Sequence, residues 1–271
     1  MSPAEYTQLP IVTGEVLKYG ALSQQFGHLH LPRTEAPSNG FGVVVLLHGG
    51  CWRDRFGLEP LGQMADALTD HGLAVWNLEY RRLGGGGGWP STFEDVAAGA
   101  DFLAELAARY PLDLSNVVAA GHSAGGHLAM WLTARANLPD SASLFSPTPL
   151  SFIGTVSLAG IPDLVAAVDE GICSGAPSEL MGGEPSEVPQ HYAQGSPHAL
   201  LPLPAPHVHV VGAEDPLVPA DYVKRFVEYA RGHGDDAEMV TIPQVGHFEV
   251  VTAGSRAWAP VRDAILASFE R

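Results

Sequence analysis

Ser123 stands in the run Gly121-His122-Ser123-Ala124-Gly125-Gly126. Residues 117–120 before it are apolar, and a helix-like pattern follows. A serine on a sharp strand-to-helix turn exposes its hydroxyl beside the helix N-terminus, where N–H groups favour developing negative charge. The chemistry that fits is nucleophilic attack on an acyl carbon, which needs a base, an acid to orient it and donors for the oxyanion. The acid is expected where residues 208–211 end in Gly212-Ala213-Glu214-Asp215-Pro216. Asp215 is preferred there, Glu214 is the neighbouring alternative, and Asp163 is read as tying down the segment after it. The base is expected one loop later, at His247 in Val245-Gly246-His247-Phe248. Upstream, an apolar run ends in His48-Gly49-Gly50-Cys51-Trp52. A glycine-rich turn directly after a strand can aim backbone N–H groups at one point, so Gly50, Cys51 and Ala124 are the candidate oxyanion donors. Trp52 and His122 are the candidates for contact with substrate. His48 precedes the turn and is read as a packing or hydrogen-bonding residue.

These residues need a scaffold that brings them to one edge. Short apolar runs at residues 42–47, 73–78, 117–120, 153–158 and 208–211 have the character of strands covered on both faces. Residues 15–19 and 25–31 suggest an antiparallel entry, and residues 237–242 a peripheral last strand. Helical patterns occupy residues 58–71, 91–110, 124–136, 219–231 and 257–269. Strand alternating with helix implies right-handed crossovers and a mostly parallel central sheet flanked by helices, an α/β fold. Residues 161–203 break the rhythm after the sixth strand and are rich in Pro, Gly and Ser. They are expected to form a cap or substrate loop. No internal repeat or second domain is visible, so residues 1–271 are expected to form one domain.

Taken together, His48-Gly49-Gly50-Cys51-Trp52, Glu79-Tyr80-Arg81, residues 121–126, Asp215-Pro216-Leu217-Val218-Pro219 and His247-Phe248 resemble the α/β-hydrolase superfamily. The order Ser123, Asp215, His247 is that of this fold and differs from the orders of the chymotrypsin and subtilisin folds. Within the superfamily, the chain from about Phe41 onward resembles small carboxylesterases of the hormone-sensitive-lipase-like and feruloyl/acetyl-esterase-like groups, and kynurenine formamidases. Leu180-Met181-Gly182-Gly183 and Ser196-Pro197 are also similar to esterase and dipeptidyl-peptidase-like catalytic domains. Two departures stand out. Cys51 replaces the third glycine usual in the lipase-like group. Kynurenine formamidases favour a bulky aromatic at that position, although Trp52 agrees with their His-Gly-Gly-x-Trp pattern. The resemblance implies the α/β-hydrolase fold and a serine hydrolase needing no cofactor. A small or aryl acyl ester is the first reading of its substrate. An arylformamidase acting on N-formylkynurenine is second, a small peptidase third and a non-catalytic binding module last.

Composition argues against nucleic acid and a membrane surface as partners, which leaves the small-molecule acyl substrate that the resemblance implies. The formal charge is −16, from 14 basic and 30 acidic residues, which repels phosphate backbones and anionic membrane surfaces. The N-terminus shows no signal-peptide pattern, and no apolar stretch approaches the ~18 residues of a membrane span. Cys51 and Cys173 are too few for a disulfide framework and are expected as free thiols in a cytoplasmic protein. The histidine pairs 28/30 and 207/209 lack an acid or cysteine partner, so no metal is expected. Five consecutive glycines, 84–88, lack the Lys-Ser/Thr of a phosphate loop and suggest a loop at the mouth of the site or a plain linker.

Overall fold

Eight strands and ten α-helices alternate along the chain in the computed structural model, which describes residues 1–270. In order they are α1 (Pro3–Tyr6), β1 (Glu15–Lys18), β2 (Phe26–His30), β3 (Phe41–Leu47), α2 (Gly62–Thr69), β4 (Ala74–Leu78), α3 (Ser91–Asp101) and α4 (Leu103–Ala107). There follow β5 (Leu112–His122), α5 (Ala124–Ala134), β6 (Gly154–Leu158), α6 (Leu164–Asp169), α7 (Ala176–Met181) and α8 (Pro189–Gly195). The chain closes with β7 (His207–Gly212), α9 (Ala220–Gly232), β8 (Ala237–Ile242) and α10 (Trp258–Ala267). All eight strands belong to one sheet in the order β1-β2-β4-β3-β5-β6-β7-β8. β1 and β2 pair antiparallel and β2 joins β4 antiparallel, while every pair from β4 to β8 is parallel. This is the mostly parallel sheet of the α/β-hydrolase fold.

The apolar runs are continuous because both faces of the sheet are covered. Val43, Val45 and Leu47 of β3 join Val117 and Ala119 of β5 in a core shared with α3, α5 and α9. The intervening Val44, Leu46, Val118 and Ala120 point to the opposite core, against α2 and α10. β8 lies at the edge and is only partly buried, as its mixed composition suggests.

Strand order reverses at β3. From β3 the chain crosses by α2 to β4 on one side, then by α3 and α4 past β3 to β5 on the other. A crevice opens outside the carboxyl ends of the strands at such a switch point. The Gly49-Gly50 turn leaves one of these two ends and Ser123 leaves the other.

Two helical expectations change in detail. The stretch expected as one helix over residues 91–110 divides at Phe102, which caps α3 and precedes α4. Residues 161–203 are not an irregular loop, for they hold α6, α7, α8 and a 3-10 turn at Pro197–Leu200. None of these helices exceeds seven residues, too short for a hydrophobic period to register. The glycine run is ordered rather than a loop at the site. Gly85 and Gly87 donate to the Arg82 carbonyl, and Trp89 donates to Leu180 at 2.7 Å, holding the turn on α7. Among the described residues no helix is long and apolar enough to cross a membrane.

Several histidines are buried without charge. Desolvation pushes His30, His127 and His207 down to about 4, and His122 and His209 well below the usual value. His207 and His209 contact one another, Nδ1 to Nε2, at 2.9 Å, beneath Phe226 of α9. In the unfolded chain each titrates near 6.5, so between that pH and about 4 the unfolded state binds more protons. Their contribution to stability is full above about pH 6.5 and is lost as pH falls toward 4. The urea midpoint should therefore fall from pH 7.5 to pH 5, and a flat or rising midpoint would contradict the buried neutral state.

Candidate active site

Ser123 occupies the single residue between β5 and α5, with φ 54° and ψ −118°. Such a backbone is unfavourable for a non-glycine residue and persists only where the surroundings impose it. They do so here by crowding. A Cβ on Gly121 would lie 2.1 Å from the Gly125 carbonyl oxygen, and one on Gly125 would lie 2.1 Å from that of Leu47. The Ser123 N–H donates to the Leu158 carbonyl at 2.9 Å, tying the turn to the end of β6.

The expected acid and base meet two strands away. Asp215 follows β7 and His247 follows β8, and His247 Nδ1 donates to Asp215 Oδ2 at 2.7 Å. The other carboxylate oxygen accepts the N–H groups of Leu217 at 2.8 Å and Val218 at 2.9 Å. Both side chains are buried, Asp215 at 0 % and His247 at 4 % exposure, so the pair is shielded from competing water. With Nδ1 engaged, Nε2 is the ring nitrogen left to exchange a proton. His247 and Ser123 line the same cavity. The alternative acids do not meet His247. Glu214 is exposed, and Asp163 caps α6 by accepting from Val165 and Ala166.

His122 lines the cavity too, but its ring is engaged with the expected base. Its Nε2 donates to the His247 carbonyl at 2.9 Å, and the two rings are 4.5 Å apart. Burial and the neighbouring His247 keep it uncharged, so it acts as a neutral donor.

The turn after β3 has three successive left-handed residues, Gly50 (φ 114°), Cys51 (φ 51°) and Trp52 (φ 55°). Among the described residues no acceptor takes the Gly50 or Cys51 N–H. Ala124 opens α5, where a first-turn N–H has no intrahelical acceptor. Beneath the turn, His48 donates through Nε2 to Glu79 Oε1 at 2.9 Å and through Nδ1 to the Gly49 carbonyl at 2.8 Å. The Tyr80 hydroxyl donates to the His48 carbonyl at 2.6 Å. His48 is thus the hydrogen-bonding residue expected. Trp52 is a correction to the sequence reading. It is fully buried against His127, ring centroids 5.3 Å apart, and does not line the cavity. Its left-handed backbone turns the side chain into the core.

The cysteines are a second correction. Cys51 and Cys173 form a disulfide with a Cα–Cα distance of 5.6 Å, so neither is a free thiol. Their separation of 122 positions concealed the pairing, because only the return of the segment after α6 over the β3 turn brings them together. The cavity they border holds about 520 Å³. Part of its remaining wall went unread in the sequence. Tyr6 of α1 stacks on Phe248 at 4.8 Å, and Arg55, Phe56 and Leu217 stand nearby. Phe248, adjacent to His247, and Leu217, two residues after Asp215, carried a signal.

Residues 28–229 match the family model BD-FAE. No curated protein matches the chain by sequence. Among solved structures, a truncated carbohydrate esterase from gut microbiota is 19 % identical with a TM-score of 0.76, and the match covers 100 % of both chains. A thermophilic esterase, Est2 of the planctomycete Thermogutta terrifontis, is also 19 % identical at a TM-score of 0.76, over 97 % of this chain and 95 % of that one. That esterase has also been solved phosphorylated by paraoxon. A bifunctional GH43-CE protein of Bacteroides eggerthii is 21 % identical at a TM-score of 0.75, over 93 % of this chain, which spans 37 % of the larger protein. These likenesses establish the fold.

The disulfide closes a loop large enough to matter for stability. On the chain-entropy account, opening a loop of this size removes up to about 5 kcal/mol. The Cys51→Ser/Cys173→Ser protein should melt below the wild type and be indifferent to dithiothreitol, while reduction should bring the wild type down to it. Equal melting temperatures would contradict a formed bridge.

Proposed function

The chain belongs to the BD-FAE family, and from that premise we propose that it is a serine esterase cleaving small or aryl acyl esters through an acyl-enzyme. The observation that carries the reading is the His247–Asp215 pair, buried at the sheet edge where Ser123 opens onto the same cavity. In the first half-reaction His247 takes the Ser123 proton as the oxygen attacks the ester carbonyl. Asp215 holds the imidazole in the tautomer that presents Nε2 and stabilises the imidazolium that forms. Backbone N–H groups of Gly50, Cys51 and Ala124 receive the oxyanion, at no reorganisation cost because the turn already holds them. His247 then protonates the leaving alkoxide, the alcohol departs, and water repeats the sequence on the acyl-enzyme to release the acid. The side chains supply every proton transfer, so the proposed reaction needs no cofactor. One domain suffices for it.

The arylformamidase reading drew on Trp52 and on a cytoplasmic setting, and the burial of the Trp52 side chain away from the cavity favours the ester reading over it. The cytoplasmic expectation rested on free thiols, whereas a bridge such as Cys51–Cys173 persists in an oxidising compartment.

Ser123→Ala should cut kcat for 4-nitrophenyl acetate by about 10⁴-fold or more and abolish labelling by a fluorophosphonate probe, with the circular dichroism spectrum unchanged. Asp215→Asn should approach the same loss. Full turnover in Ser123→Ala sinks the proposal. His122→Leu removes the donor that holds the His247 carbonyl and should lower kcat about 10- to 100-fold with little change in KM. His122→Gln offers an amide N–H in its place and should recover most of that loss. Equal activity in the two variants would remove His122 from the positioning of the base.

A further inference from the structure

Three charged side chains other than histidine line the cavity: Arg53, Arg55 and Glu170. Two of them are neutralised by partners behind the wall. Arg53 forms a bidentate pair with Glu179, both contacts at 2.8 Å, and Glu170 pairs with Arg225. Arg55 has no such partner. Its guanidinium lies over the Phe56 ring, 4.8 Å from the centroid, and among the described residues no carboxylate pairs with it. Stacking on Phe56 holds the guanidinium plane while leaving its N–H edges open. Arg55 is itself exposed, and the cavity lining it shares includes the apolar Ile172, Leu217 and Pro60. A planar guanidinium with unspent donors matches a carboxylate, which it can bind by two parallel hydrogen bonds.

We propose that Arg55 sets substrate choice and that the preferred substrates are esters bearing a carboxylate away from the scissile bond. The inference rests on the serine-esterase reading and deepens it. Arg55 touches neither Ser123 nor His247, so it acts on binding, and its effect belongs in KM rather than kcat. The carboxylate can sit on either side of the ester, and matched substrates separate the two cases. 4-Nitrophenyl hemisuccinate against 4-nitrophenyl butyrate places it in the acyl group. 4-Acetoxybenzoate against methyl 4-acetoxybenzoate places it in the leaving group. The members of a pair differ in intrinsic reactivity, so the quantity to compare is the charged-to-neutral ratio of kcat/KM in the wild type against that in Arg55→Gln. For one of the two pairs the ratio should fall about 10- to 100-fold in the variant, through a raised KM. Arg55→Lys, which keeps the charge without the fork, should lie between. The neutral esters should change by less than about 3-fold in both variants. A ratio that stays within about 2-fold for both pairs, with neutral turnover intact, overturns the assignment of Arg55 and leaves the esterase reading standing. Failure of the wild type to hydrolyse any of the four esters overturns the esterase reading and this inference with it.

Discussion

Between Gly121 and Gly125 the chain turns from strand to helix in a space that leaves no room for a side-chain carbon. That crowding is the constraint on which the site depends. Gly125 lies against the carbonyl oxygens of Leu47 and His48, so the start of α5 and the end of β3 approach at backbone contact distance. The turn that carries Ser123 and the turn that carries Gly50 and Cys51 are therefore placed relative to one another by main chain alone. The unfavourable backbone at Ser123 is held by the parallel pairing of β3, β5 and β6 on either side, where each strand is fixed by several ladder bonds. Local strain at the serine is offset by a sheet too extensive to relax around it.

The Gly50 turn needs a second support, since three left-handed residues in succession would otherwise have many alternatives. Glu79 provides it from the end of β4. Burial pushes its carboxyl up, but His48, Arg82 and the Tyr80 N–H outweigh that and hold it below the usual carboxylate range. A buried charge is stable only when its lone pairs are taken up, and here four donors, from His48, Arg82, Tyr80 and Leu58, surround the two oxygens. Removing any one of them would leave part of a desolvated charge unanswered. The hydrogen bonds from Tyr80 and His48 carry this rigidity to the two residues immediately before Gly50.

The placement of the candidate residues was legible in the sequence because it is local. Ser123 and Asp215 follow short apolar runs, and His247 follows the mixed edge strand β8 by five residues; a run of four to six residues is enough to mark a strand. The parallel order of those runs then puts all three residues at one edge. The walls of the cavity were not legible, for the opposite reason. Cys173 reaches Cys51 across 122 residues, and Tyr6 reaches Phe248 from a four-residue helix that no periodicity could reveal. Trp52 misled because a motif gives the order of residues but not the sign of φ. With φ at 55°, the tryptophan enters the core instead of the cavity. Residues 161–203 read as irregular because proline and glycine, which suggest loop, here start short helices at Gly175, Pro189 and Pro197, although the segment does supply part of the cavity wall.

This division has a physical basis that bears on how substrate choice is built. Groups that exchange protons must be held to fractions of an ångström, and they stand at the ends of strands whose neighbours are covered on both faces. Groups that contact the rest of a substrate tolerate looser placement, and they come from connections whose sequence is free of the sheet's period. Arg55 lies in such a connection, between β3 and α2, and Glu170 to Ser174 in another, after α6. The disulfide joins the two kinds of element, since Cys51 belongs to the backbone turn beside the serine and Cys173 to the outer wall. A wall tethered at that point cannot swing away without pulling on the turn itself. The shape of the cavity and the placement of the Cys51 N–H are thereby coupled, which ordinary loop packing would leave independent.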